Sequence, residues 1–215
     1  MTNGVPPVTC RGVCRGERLL NWTDACREHR YAAFTLLEVI VVIGIITILA
    51  GLVLTTAGYA RKKSARARAE TEIAAMSAAC ENYKADNAVY PNNSGTGGTD
   101  GLDPSTTDPA SYEMPCRYMY GEISGDRTFD GTPETGVRSY MVFKPMSLLR
   151  NDMSIPPSSS NQVRAIRDPF GNSYGYSTAK ASNPSGSVGY NPTFDLWTLA
   201  DGAAGMDQTK WIKNW

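Results

Sequence analysis

From Val39 to Leu54 the chain reads VIVVIGIITILAGLVL, without a charged side chain. Extended to Phe34 and Ala57, the apolar stretch covers about 24 residues and admits one charge, Glu38. At about 1.5 Å per residue, some 20 apolar residues in a helix cross a hydrocarbon core about 30 Å thick. A helix of a soluble protein buries one face and keeps the other polar, so all-round apolarity over this length argues against that setting. A secretory signal is the closer rival, but its apolar stretch runs only about 7–15 residues and ends at a small-residue cut. Here helix-compatible sequence continues well beyond. No Pro occurs between Phe34 and Tyr90, and Ala, Arg, Lys and Glu dominate residues 61–84, all of them good helix formers. The pattern predicts one helix from about Thr35 to Ala88, about 54 residues and about 80 Å long. Asn87, Tyr90 and Pro91 mark its end.

The second half of this helix is amphipathic. Ile73, Met76, Cys80 and Tyr83 fall at i, i+3, i+7 and i+10, which is one face. Arg61, Lys62, Lys63, Arg66 and Arg68 make the first turns past the apolar stretch basic, suited to an interface and its anionic headgroups. Five basic residues also lie before the stretch, at Arg11, Arg15, Arg18, Arg27 and Arg30. Counting Lys and Arg at the two ends therefore does not orient the span. Within the span, Gly44, Gly51 and Gly58 repeat every seven residues, with Thr47 and Thr55 between them. Such a seam of small residues lets helix backbones approach closely in lipid.

Composition narrows the function classes. Lys+Arg and Asp+Glu are 21 each, a net charge of zero, which lacks the basic footprint of a nucleic-acid binder. The single histidine, His29, precedes the apolar stretch. Residues 34–215 therefore lack the commonest general base and metal ligand. No G-x-x-x-x-G-K-[ST] loop or G-x-S-x-G elbow occurs. Gly171, Gly175 and Gly189 read as turn glycines, not as a dinucleotide fingerprint. The expectation is a chain that is not an enzyme.

After Pro91 comes a Gly/Ser/Thr/Asn turn-rich stretch. A short helix is expected over 111–123, and strands over 139–143, 162–166, 173–177 and 194–199, with turn chemistry at Asp168-Pro-Phe-Gly-Asn. The expected fold class is α+β. The first half of the long helix is transmembrane, and its second half packs on one small antiparallel β-sheet. The expected divisions are 1–33 leader, 34–58 transmembrane half, 59–90 exported amphipathic half, 91–138 variable loops and 139–215 sheet region.

Glu38 stands out because a carboxylate in a bilayer costs roughly 2.5–3.5 kcal/mol on insertion scales and is rarely left unpaired. One reading is an interfacial Glu at a helix start, where the helix dipole favours an anion. The other needs a cation. A cut just before Phe34 would create an amine, and a neighbouring chain's amine could neutralise Glu38 as helices pack side by side.

Ala33-Phe34-Thr35-Leu36-Leu37-Glu38 resembles the cleavage and methylation site of type IV prepilins and type II secretion pseudopilins. The resemblance implies that a prepilin peptidase cuts between Ala33 and Phe34, that Phe34 becomes the N-methylated first residue, and that Glu38 docks subunits. Ala33 stands where the family usually has Gly. Tyr83-Lys84-Ala85-Asp86-Asn87-Ala88-Val89-Tyr90-Pro91, Asp168-Pro169-Phe170-Gly171-Asn172-Ser173-Tyr174 and Phe194-Asp195-Leu196-Trp197-Thr198 resemble further segments of major pseudopilins, which implies a pilin-like fold. The family often has a helix Pro where this chain has Thr55. It also binds calcium in an acidic loop after the D-L-W-like strand. Here the loop 200–208 holds only Asp201 and Asp207, weak calcium candidates against the six to eight oxygens that the ion wants. No cofactor is otherwise expected, and no confident metal site. Lys210-Trp211-Ile212-Lys213-Asn214-Trp215 is expected instead to close the domain on its two indoles.

The five cysteines are 10, 14, 26, 80 and 116. Cys10, Cys14, Cys26 and His29 faintly resemble a zinc spacing, of little use in a leader that is removed. A start assigned too far upstream would equally explain so long a leader. Cys80 and Cys116 would lie on the exported side, where disulfides persist, so a bridge and two buried thiols are both open. The resemblance points to a structural subunit of a type II secretion pseudopilus. Its partners would be itself in a homopolymer fibre, the prepilin peptidase, an inner-membrane assembly platform and minor pseudopilins, with no nucleic acid. It would span the bacterial inner membrane once, with its C-terminal domain in the periplasm. The alternatives are a type IV pilin of a surface fibre for adhesion, motility or DNA uptake, and a monomeric membrane-anchored binding domain.

Overall fold

A computed structural model describes residues 34–95, 97–106, 108–156, 158–201 and 207–215. Two compact units divide the chain, Met1–Leu49 and Ala50–Trp215. The leader 1–33, with Ala33, Cys10, Cys14, Cys26 and His29, lies outside the described residues, as do residues 202–206 of the loop holding Asp201 and Asp207.

Helix α1 runs Leu36–Asn87, 52 residues, within a residue of the sequence expectation at each end and uninterrupted at Thr55. It ends where Ala88 turns left-handed (φ 65°) and donates its N–H to Lys84 O at 2.7 Å, a cap usually made by Gly. Asn87 Nδ2 covers a second terminal carbonyl, Tyr83 O, at 2.9 Å.

Within the unit Ala50–Trp215, Ala69, Ile73, Met76 and Cys80 are buried along one face of α1, with Ala79 beside them. They meet helix α2 (Glu113–Ser124) and the strands in one core. The polar flank of α1 is tied to the same unit by tyrosines. Tyr174 donates its hydroxyl to Glu72 at 2.8 Å, and Tyr83 donates to Glu122 at 2.9 Å. Tyr174 keeps its ring in the core and its hydroxyl at the polar rim, the division of labour that suits this side chain, whereas Tyr83 is half-buried against Tyr140.

A 3-10 turn, Pro109–Tyr112, leads into α2 and is capped by Asp108, whose side chain accepts from Ala110 N. At the other end Gly125 (φ 77°) closes the helix with its N–H on Gly121 O. Buried Asp126 then gathers the following loop, accepting from Tyr120 Oη at 2.7 Å, Gly131 N at 2.7 Å and Asp130 N at 3.1 Å.

Among the described residues five short strands complete the domain: β1 (Leu148–Arg150), β2 (Val163–Ile166), β3 (Gly175–Ser177), β4 (Asp195–Thr198) and β5 (Ile212–Lys213), with a four-residue helix α3 (Ala179–Ser182) between β3 and β4. The α+β class is as expected, but the single sheet is two: β1–β2 and β3–β4–β5, all antiparallel. The Asp168 turn does join β2 to β3, through an isolated Arg167–Ser173 bridge. The ladder stops there because Asp168 turns inward. Its Oδ1 accepts from Phe170 N at 2.9 Å and Asn172 N at 2.7 Å, and its Oδ2 accepts from Thr198 Oγ1 on β4. Burial raises the Asp168 carboxyl above the usual carboxylate range, and these donors pull it back.

Residues 139–143 form no strand, contrary to expectation. Tyr140 N and Met141 N both donate to Ile123 O at the end of α2, and the strand forms downstream as β1. Gly175 is not a turn glycine. It sits in β3 opposite Trp197, and a Cβ there would lie 2.2 Å from the indole. The C-terminal segment closes the domain much as its two indoles imply. Trp211 is buried with Leu102, Tyr112, Trp197 and Leu199, while Trp215 is only half-buried, stacked on Tyr190 at 4.6 Å.

Cys80 and Cys116 are separate buried thiols, and the bridge is not formed. Cys116 Sγ accepts from Ile166 N at 3.2 Å. Burial pushes its thiol up to about 12 and raises that of Cys80 still further, so neither forms the reactive thiolate near neutral pH. In detergent-extracted protein at pH 8, iodoacetamide is expected to spare both until guanidinium unfolds the chain. Rapid labelling of either residue in the folded protein would contradict this packing.

Candidate processing and assembly site at the start of α1

Among the described residues Phe34 and Thr35 precede α1, and Phe34 is 81% exposed. Thr35 and Glu38 cap the helix reciprocally. Thr35 Oγ1 accepts from Glu38 N at 3.2 Å, and Glu38 Oε2 accepts from Thr35 N and from Thr35 Oγ1, each at 2.9 Å. This capping box satisfies two backbone donors that a helix start leaves open. Substituting such a cap by Ala costs about 1 kcal/mol. The T-x-x-E spacing of Thr35 and Glu38 signals the box in the sequence, a cue that is passed over when Glu38 is weighed only as a charge. Both hydrogen bonds to the carboxylate fall on Oε2, so Oε1 takes no part in the box.

From Val39 to Leu54 the helix carries no charged side chain. It is the one helix among the described residues long and apolar enough to cross a membrane, and its most apolar stretch is exposed among them. Ile40, Ile43, Ile46, Leu49 and Val53 are each more than half exposed, far more continuous apolar surface than a soluble monomer leaves in water. The hydroxyls of Thr47 and Thr56 within it are satisfied locally. Thr47 Oγ1 donates to Ile43 O at 2.7 Å, and Thr56 Oγ1 donates to Val53 O at 3.1 Å, which removes much of the cost of placing them in lipid.

A Cβ added at Gly44, Gly51 or Gly58 would meet nothing within 4 Å. Nothing among the described residues requires glycine at these positions. Arg61 and Lys63 are exposed past the apolar stretch. Lys62, Arg66 and Arg68 have partners on the chain: Asp201 at 3.6 Å, Glu70 at 3.4 Å and Glu72 at 2.8 Å, respectively. Among the described residues no three His, Cys, Asp or Glu converge as a metal-holding group.

Residues 29–54 match the prokaryotic N-terminal methylation motif. The chain is 36% identical over 95 residues to type II secretion system core protein G of Aeromonas hydrophila, which is 44% of this chain and 63% of that protein. It is 38% identical over 96 residues to the protein of the same description from Vibrio cholerae serotype O1, 44% of this chain and 61% of that one. For Dickeya chrysanthemi the figures are 39% over 64 residues, 30% and 42%. The matches thus span less than two thirds of the length of these relatives. No solved structure matches. The segment around Phe34 and Glu38 is therefore a prepilin-type N-terminal methylation motif opening a long helix, and the chain resembles type II secretion system core protein G.

Proposed function

We propose that this protein is a structural subunit of a type II secretion pseudopilus. It is held in the inner membrane by the first half of α1, cut by the prepilin peptidase between Ala33 and Phe34, methylated at Phe34 and assembled into a periplasmic fibre with copies of itself. An assembly platform and minor pseudopilins complete the machinery, and the domain after the span faces the periplasm. No catalysis is assigned to the chain. The observation that carries this reading is the methylation motif at the head of a self-capped 52-residue helix, with apolar surface left exposed among the described residues.

Glu38 has a double role in this account. Oε2 holds the start of its own helix through Thr35, and Oε1 is left for the methylated amine of a neighbouring subunit. In a medium of low dielectric an amine and a carboxylate attract far more strongly than in water, and pairing offsets the cost of placing the carboxylate in lipid. The glycine seam supplies the close approach. Three glycines with open space where a Cβ would stand each cost the helix up to about 1 kcal/mol relative to Ala, and backbone contact with a neighbouring helix would repay it.

Glu38→Val should permit insertion and cleavage while cutting the yield of sheared fibres at least about ten-fold, the loss expected when an interaction of some 1.4 kcal/mol per contact disappears. Wild-type fibre yield from a strain whose only subunit is Glu38→Val would refute the docking role.

Gly51→Leu, which should insert at least as well as wild type, is expected to assemble several-fold worse than Leu49→Ala on the opposite face of the helix. The comparison is made at equal membrane levels of cleaved subunit. Equal fibre yield from both variants would remove the seam from the interface.

A further inference from the structure

The resemblance to major pseudopilins implies calcium in the loop after β4, but the residues present fit the ion poorly. Asp201 lies 3.6 Å from Lys62 Nζ, and Asp207 lies 3.6 Å from Lys210 Nζ. Asp207 Oδ1 also accepts from Thr209 N at 3.1 Å and from Thr209 Oγ1. Residues 202–206 read Gly-Ala-Ala-Gly-Met and add no carboxylate toward the six to eight oxygens a calcium ion takes. Each of the two carboxylates already faces a lysine cation, which disfavours a divalent ion beside it.

The backbone oxygens at the end of the loop already have a cation. Arg66, half-buried on α1, donates from Nη1 to Lys210 O at 2.7 Å and from Nη2 to Trp211 O at 3.4 Å. Two successive carbonyls converge on one planar guanidinium, whose fixed fork suits paired acceptors better than a lysine point charge does. What the fork holds matters to the fold. Trp211 is buried in the second core cluster, and the next residue, Ile212, pairs with Thr198 to form β5 against β4.

We propose that Arg66 takes the place of a metal ion in this domain: the segment Lys210–Trp211 ahead of β5 is docked onto α1 by the Arg66 guanidinium, and the domain's stability is independent of calcium. The Lys62–Asp201 pair is exposed and adds little, so the fork carries the attachment.

The test uses the full chain in detergent. Its melting temperature is expected to agree within about 1 °C between excess calcium chloride and excess EGTA, whereas a ligand bound at a hundred times its dissociation constant would raise it by about 5 °C or more. Arg66→Gln should melt several degrees lower, and trypsin should cut at Lys210 or Lys213 about ten-fold faster, because the segment opens locally more often. Calcium should not restore either property. Asp201→Asn should melt like wild type. Arg66→Lys, which keeps the charge and loses the fork, should fall between wild type and Arg66→Gln. It supplies the comparison, with the wild-type calcium titration, if Arg66→Gln does not accumulate. A calcium-induced rise in wild-type melting temperature overturns the proposal. So do a wild-type melt and digestion pattern in Arg66→Gln, or rescue of that variant by calcium.

Discussion

One helix must satisfy two unlike surroundings, and the rest of the structure depends on that. From Val39 to about Leu54 no side of α1 carries a charge, whereas from Ala69 to Cys80 only one face is buried. The first pattern suits lipid, where no face is privileged. The second suits a small domain that must be held to a helix by a stripe about one side chain wide. Small residues, Ala69 and Ala79, let the domain approach the backbone of α1. The long side chains Ile73 and Met76 fill the space on either side.

A core this thin needs its polar groups organised from within. Asp126 gathers the loop after α2 and Asp168 gathers the turn after β2, each with several donors on one buried carboxylate. A buried acid left without donors is strongly destabilising, and a satisfied one fixes a single loop geometry. The same economy appears at the head of α1, where Glu38 caps its own helix before it meets any partner, and at the C-terminal segment, where Arg66 binds two carbonyls.

Much of this is legible in the sequence wherever periodicity or turn chemistry dictates the outcome. The bounds of α1 follow from the absence of Pro and the Asn87–Pro91 signal. Its buried face follows from the spacing of Ile73, Met76 and Cys80. β2, β3 and β4 follow from short runs of strand character around a turn. The features that escape depend on contacts between distant residues. Residues 139–143 have strand composition, yet Tyr140 and Met141 spend their N–H groups on Ile123 at the end of α2. Gly175 looks like a turn glycine until Trp197 is laid across it. Cys80 and Cys116 could have been bridged, but each is packed apart, Cys116 as an acceptor for Ile166. At the site itself Phe34, Glu38 and the glycine seam are recognisable. The Thr35–Glu38 box is written in the sequence too, but the charge of Glu38 draws attention away from its position three residues after a capping Thr.

On the proposed reading Phe34 is the first residue of the working subunit, because a cut there would free the amine proposed to pair with Glu38. The most direct measurement is mass spectrometry of the N-terminal peptide of subunits purified from membranes and from sheared fibres. The predicted result is a chain beginning at Phe34 with one added methyl group on its amine. Fibres built from chains that retain residues 1–33, or that begin at another residue, would contradict it.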